Sequence, residues 1–271
     1  MQNPYWIAYR NLRLNQKKRY MLSAQLSYDI TDWLNISGRV RVDNTHTKYE
    51  QKLYASSNLT ITEESTQGHY TISKPDETQT YADVLANINK RFADFSLVAN
   101  VGASIVNNRY EDFSYRGPIH EKGIPNVFNV FDLDNTKKKA RQDEWQEQTQ
   151  SVFASVEVGW KSMLYLTLTG RNDWASQLAN SSTPCFFYPS VGLSGVISEM
   201  LTLPEFIDYM KVRGSFSSVG MPYPRNLTSP TRGYDEPNQQ WKPKAHYPIK
   251  DLKPERTNSW ELGLDMRLFK D

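Results

Sequence analysis

A chain of 271 residues that is 38% hydrophobic, with a mean hydropathy of −0.66, contains no run approaching the roughly 18 apolar residues of a transmembrane helix. Its 32 basic and 30 acidic residues nearly cancel at +2, which excludes the single-sign field expected of a nucleic-acid binder. One cysteine, Cys185, rules out an internal disulfide framework and is expected to pack, and the four histidines (His46, His69, His120, His246) lack ligand spacing, so neither a metal nor another cofactor is expected. Hydropathy does not exclude a membrane barrel, whose strands need an apolar residue only at every second position.

Taken in order, Met1 to Arg19 has no period and is expected to be the end of a loop. Tyr20, Leu22, Ala24, Leu26, Tyr28 and Ile30 then fall on one face of a strand, and after the Thr31-Asp32 turn Leu34, Ile36, Gly38, Val40 and Val42 line its partner. Asn44 to Gln79 is polar and is expected to be loop. Ala82 to Ile88 and Phe95 to Ile105 form a second hairpin, Asn107 to Gln148 a second long loop, and Val152 to Trp160 with Leu164 to Leu168 a third hairpin. Beyond the loop Asn172 to Pro184, the strand Phe187 to Ile197 leads through a helical turn within Ser198 to Asp208 to the strand Met210 to Phe216. Val219 to Pro254 is a Pro-rich loop, and Trp260 to Leu268 alternates again.

The connections therefore alternate short and long across about nine antiparallel strands, the pattern of an up-and-down transmembrane β-barrel with short turns at one end and long loops at the other. Arg39, Arg41, Glu157, Arg171, Lys211, Arg213, Glu261, Asp265 and Arg267 share the polar faces, which suits a wide, wet lumen. Trp33, Phe92 and Trp160 near the short turns, with Tyr20, Trp174 and Trp260 near the long loops, are the expected interfacial girdles. The basic run Lys137, Lys138, Lys139 and Arg141 is expected in a solvated loop. No nucleophile elbow, HExxH or phosphate-cradling glycine loop is present, so no catalytic residue is assigned and an enzyme is not expected; Asp173 reads as a structural strand-end residue.

Residues 170–176 (GRNDWAS), 187–200 (FYPSVGLSGVISEM), 210–219 (MKVRGSFSSV) and 252–269 (LKPERTNSWELGLDMRLF), with Asn3-Pro4-Tyr5-Trp6, resemble barrel stretches of the SusC/RagA-type TonB-dependent outer-membrane transporters of Bacteroidetes. The resemblance implies a barrel of about 22 strands, of which this chain is a partial segment. It further implies an N-terminal plug with a TonB box, absent here, a SusD-like surface lipoprotein as partner, and import of oligosaccharides or peptides. No signal peptide is visible at the N-terminus and Phe269-Lys270-Asp271 does not look like a barrel's terminal aromatic. On this reading residues 1–271 form one partial barrel domain, interior to a longer precursor, with many crossings of the bacterial outer membrane. The alternative is a soluble or surface glycan-binding or adhesive β protein, whose apolar faces would pack on one another. Substrate contacts are expected from loop aromatics: Trp145, Trp174, Tyr234, Trp241 and Tyr247.

Overall fold

The computed structural model describes residues 3–229, 231–235, 238–243, 248–249 and 251–269. A short helix α1 (Pro4–Arg10) is capped by the Asn3 side chain, which accepts from the Tyr5 N–H, with Pro4 pre-set for the first turn. The strands follow as β1 (Asn11–Thr31), β2 (Leu34–Tyr54), β3 (Gly68–Ser73), β4 (Asp76–Phe92), β5 (Phe95–Pro118), β6 (Lys139–Trp160), β7 (Leu164–Ala175) and β8 (Phe186–Val196). The one-turn helix α2 (Ile197–Met200) then leads to β9 (Ile207–Met221), the pair β10 (Arg232–Asp235) and β11 (Gln240–Pro243), and β12 (Glu255–Leu268).

Ten strands join one sheet in the order β1-β2-β3-β5-β6-β7-β8-β9-β12, with β4 pairing β2 and β5; setting aside the six-residue β3 leaves nine long strands among the described residues, as expected. Several expected loops are corrected. Met1 to Arg19 contains α1 and the first half of β1; much of Asn44 to Gln79 belongs to β2, β3 and β4; and Asn107 to Gln148 contributes the ends of β5 and β6. The strand starting at Val152 begins at Lys139, β7 continues through Asn172 to Ala175, and Val219 to Pro254 contains the hairpin β10–β11. The reason is physical: a strand wetted on both faces needs no apolar alternation, because its backbone groups are satisfied by pairing whatever its side chains are. β1 and β2 have 21 residues each, β4 17, β5 24 and β6 22. About 9–11 tilted residues suffice to cross a bilayer, so the remainder of each must lie outside hydrocarbon.

The chain forms two compact units, the first comprising Met1–Ser23, Arg41–Thr80 and Asn107–Gln146, the second Ala24–Val40, Tyr81–Val106 and Glu147–Asp271. In the second unit, registers place Val158, Leu166, Leu193, Gly214 and Leu262 in one row, and Val156, Leu168, Val191, Phe216 and Trp260 in the next. Directly opposed residues share a face, so five strands carry a continuous apolar surface. That surface is bare: Leu193 is 55% exposed and Leu262 92%. The soluble alternative needs this face packed on another. Offset by one residue, Glu157, Thr167, Gly192, Ser215 and Glu261 form a polar row on the other face, beside Ser155, Thr169, Ser190, Ser217 and Ser259.

The short turns are tight. Lys161 and Ser162 both adopt left-handed backbone (φ 48° and 59°), as a hairpin turn matched to strand twist requires, and the Lys161 N–H donates to the Asp94 carbonyl at 2.7 Å. Aromatics mark this end: the Lys90 ammonium lies 4.8 Å from the Trp33 ring centroid and 5.2 Å from Phe92, and Lys161 lies 5.4 Å from Trp160. Toward the other end of β7 and β8 a small apolar cluster, Ala175, Leu178, Phe186 and Tyr223, anchors the connections around it, with Tyr188, Leu227 and Leu252 packed against it. Cys185, beside Phe186, is half-buried.

In the first unit β3 is inserted between β2 and β5, with Leu53 opposite His69 and His69 opposite Pro118. β3 opens on Gly68, whose φ of 116° and the Leu53 carbonyl only 2.6 Å from any added Cβ require glycine. The connection before it folds on itself: the buried Thr62 hydroxyl donates to the Ser65 carbonyl at 2.8 Å, and the Ser65 hydroxyl to the Ile119 carbonyl at 2.6 Å. The basic run is partly tied down rather than wholly solvated, since Lys137 Nζ donates to the Glu63 carbonyl at 3.2 Å and Arg141 pairs with Asp143 at 2.6 Å, in β6.

The buried Tyr70 hydroxyl donates to Glu50 at 2.7 Å. This bond holds the Glu50 carboxyl below the usual carboxylate range, while burial, followed by the Glu50 bond and charge, pushes the Tyr70 phenol up. The Glu50 contribution is present above its unfolded pKa and lost as pH falls through the depressed one; the Tyr70 contribution is present below its unfolded pKa and lost as pH rises through the raised one. Tyr70→Phe is expected to cost about 1–3 kcal/mol near neutrality and to remove the alkaline arm of the loss. Thermal melts of the full-length protein across pH check this, and parallel curves for the two proteins would contradict it.

Candidate functional site

Trp145, on β6, stacks on Tyr110 of β5 with ring centroids 5.4 Å apart and planes 13° apart. The two strands hold the rings as a rigid pair, and burial, first among its causes, keeps the Tyr110 phenol pushed up and therefore neutral. Trp145 lines a cavity of about 470 Å³ with Arg19, Asp43, Thr45, Gln79 and Asn108 among its walls. Arg19 is spoken for there, donating through Nε and Nη2 to the two Asp43 oxygens at 2.8 and 2.5 Å. Gln79 Nε2 donates to Asn108 Oδ1 at 2.9 Å. An aromatic plane beside amide, hydroxyl and carboxylate groups can stack on a ring or side chain while meeting its polar edges.

Trp174 lies elsewhere, in the second unit. It is opposite Gln150 and shares its parity on β7 with Leu164, Leu166 and Leu168, so it stands on the apolar face as the girdle reading expects. Tyr234 and Trp241 face each other across β10–β11 at 5.3 Å, edge to face, and both are exposed. Tyr247 lies outside the described residues. Of the four described residues, only Trp145 lines that cavity. Tyr110, Arg19 and Asp43 carry no signal in the sequence, since Arg19 and Tyr110 fall in stretches without a period; only the extent of the strands brings them together.

Asp173 is fully engaged, accepting from Arg171 Nε at 2.7 Å and from the Tyr188 hydroxyl at 2.5 Å, while Arg171 also donates to the Ser151 hydroxyl at 2.8 Å. This network braces neighbouring strands and leaves no free acid. The polar face of the second unit carries a shallow depression of about 320 Å³ bordered by Glu157, Lys211, Arg213 and Glu261, and Arg39 pairs with Asp83 at 2.8 Å on the same unit. No cluster of His, Cys, Asp or Glu that could hold a metal is found among the described residues.

Antiparallel neighbours, one bare apolar face, one charged face and an aromatic rim braced by lysines define the wall of an outer-membrane β-barrel. Within that class, the chain belongs to the TonB dependent receptor-like β-barrel family, which it matches over residues 2–271. That family consists of outer-membrane receptors and transporters, not enzymes. The fold is similar to that in the structure of the RagAB peptide transporter (TM-score 0.80, 14% identity, covering 99% of this chain and 30% of that one). It is also similar to the RagAB peptide importer in its open-open state (0.77, 16%, 99% and 30%) and to the siderophore receptor PiuA from Acinetobacter baumannii (0.55, 13%, 94% and 38%). The chain thus spans about 30% of the length of the RagAB chains it matches. No curated protein matches it.

Proposed function

We propose that this chain is a segment of the barrel wall of a SusC/RagA-type importer that takes oligosaccharides or peptides across the outer membrane. Residues 1–271 form one barrel-wall domain, and the plug, TonB box and remaining strands lie outside it. The observation that carries the reading is the Tyr110–Trp145 platform set among polar groups in the first unit. The likeness in fold to two structures titled as a peptide transporter and a peptide importer supports it. A SusD-like surface lipoprotein is the proposed partner at the loop end, where the exposed Tyr234–Trp241 pair offers an aromatic contact, and the TonB complex supplies energy through the plug. Loss of one stacking ring is worth about 0.5–1.5 kcal/mol, so Trp145→Ala in the full-length protein is expected to weaken substrate binding roughly two- to tenfold. Uptake of labelled peptides and oligosaccharides, with surface abundance as control, tests it; unchanged uptake of every substrate would sink the assignment of Trp145.

A further inference from the structure

The first unit contains a second cavity, of about 780 Å³, whose chemistry differs from that around Trp145. Registers set Gln51 opposite Thr71 and Thr71 opposite Arg116, a row of amide, hydroxyl and guanidinium across β2, β3 and β5. Arg13 of β1 lines the same cavity, and Ile7 and Ile61 form apolar parts of its wall. Glu63, the one carboxylate there, lies 3.5 Å from Arg116 and 3.7 Å from His69 Nε2. Burial lowers the pKa of His69, so it adds no fixed positive charge at neutral pH. Arg13 has neither a hydrogen-bond nor an ion-pair partner among the described residues. Its counterparts are matched: Arg19 by Asp43, Arg109 by Glu111, Arg141 by Asp143 and Arg171 by Asp173. The cavity therefore holds two guanidinium groups against one carboxylate.

We propose that this cavity binds a carboxylate of the imported ligand, with Arg13 as its principal partner and Gln51, Thr71 and Arg116 completing the contacts. A guanidinium fork matches a carboxylate through two parallel hydrogen bonds, and the neutral amide and hydroxyl beside it fix orientation without competing charge. The ligand is thus an acidic peptide or an acidic sugar, two sources of the same group. The inference rests on the importer reading and narrows it from oligosaccharides or peptides at large to their anionic members.

The test uses the full-length transporter in detergent with two probe pairs, triglutamate against triglutamine and digalacturonate against digalactose, each titrated by calorimetry. The acidic member of at least one pair is expected to bind about tenfold tighter than its neutral match, since hydrogen bonds to a charged group are the strong ones. Preference in the first pair alone identifies a peptide source, in the second alone a sugar source. Arg13→Gln is expected to abolish the preference, and Arg13→Lys to restore part of it. Heat-modifiability on gels confirms that each variant is folded. Equal binding within both pairs, or a preference that survives Arg13→Gln, overturns the proposal. Uptake of the neutral probes, measured in parallel, reports on the importer reading separately: import without acid preference sinks only the carboxylate site, whereas an Arg13-dependent preference without any import sinks only the transport assignment.

Discussion

Produced alone, residues 1–271 are expected to aggregate and not to yield a monomer that inserts into liposomes. β1 and β12 stand at the two ends of the strand order, so each presents a row of N–H and C=O groups that no strand among the described residues pairs. In hydrocarbon each such group costs several kcal/mol, so even the roughly 9–11 residues by which an edge strand crosses the bilayer carry a penalty beyond what burial of an apolar face returns. The edges need further strands of the same barrel before the apolar rows can meet lipid. Heat-modifiability on gels and native mass after liposome refolding read the outcome. A stable, closed, monomeric barrel made from these residues only would refute the argument.

The second large effect separates the two faces of the sheet. Leu166 and Leu193 oppose each other in the middle of the apolar surface, flanked by Val158 and Gly214. Leu193→Arg or Leu166→Arg in the full-length protein is expected to cost about 2–4 kcal/mol, the range for a cation near the bilayer midplane. Thr167→Arg, one residue along on the face that carries Glu157 and Glu261, is expected to cost about 1 kcal/mol or less, since it meets water and acidic neighbours. Urea unfolding in liposomes measures both. Similar losses on the two faces would mean that the assignment of lipid and lumen is mistaken.

What the sequence disclosed follows the same division. Where one face must be apolar, as in Leu164 to Leu168 against Tyr165 and Thr167, alternation located the strands and even their turns. Where both faces are wet, as from Asn44 to Tyr54 in β2 or Lys139 to Ser151 in β6, the polar side chains carry no period, and such strands read as loops. The same blindness hid the site. Trp145 stood out as an aromatic, but its partner Tyr110 and the pair Arg19–Asp43 become neighbours only through pairing between segments far apart in the chain. Gly68 was likewise silent, because the sequence does not announce a backbone with φ of 116° beside the Leu53 carbonyl.

The hairpin β10–β11 closes its ladder on itself, as a two-stranded sheet apart from the ten-stranded one. Its register, Arg232 to Pro243 and Asp235 to Gln240, makes no demand on any wall strand. Such an element behaves as a cassette. Its residues can diverge, or be exchanged for an epitope tag, without disturbing the hydrogen bonds on which membrane insertion depends. Substitutions at Tyr234 and Trp241 are therefore expected to leave the ladder of the ten-stranded sheet intact, which makes this hairpin the natural place to build a library.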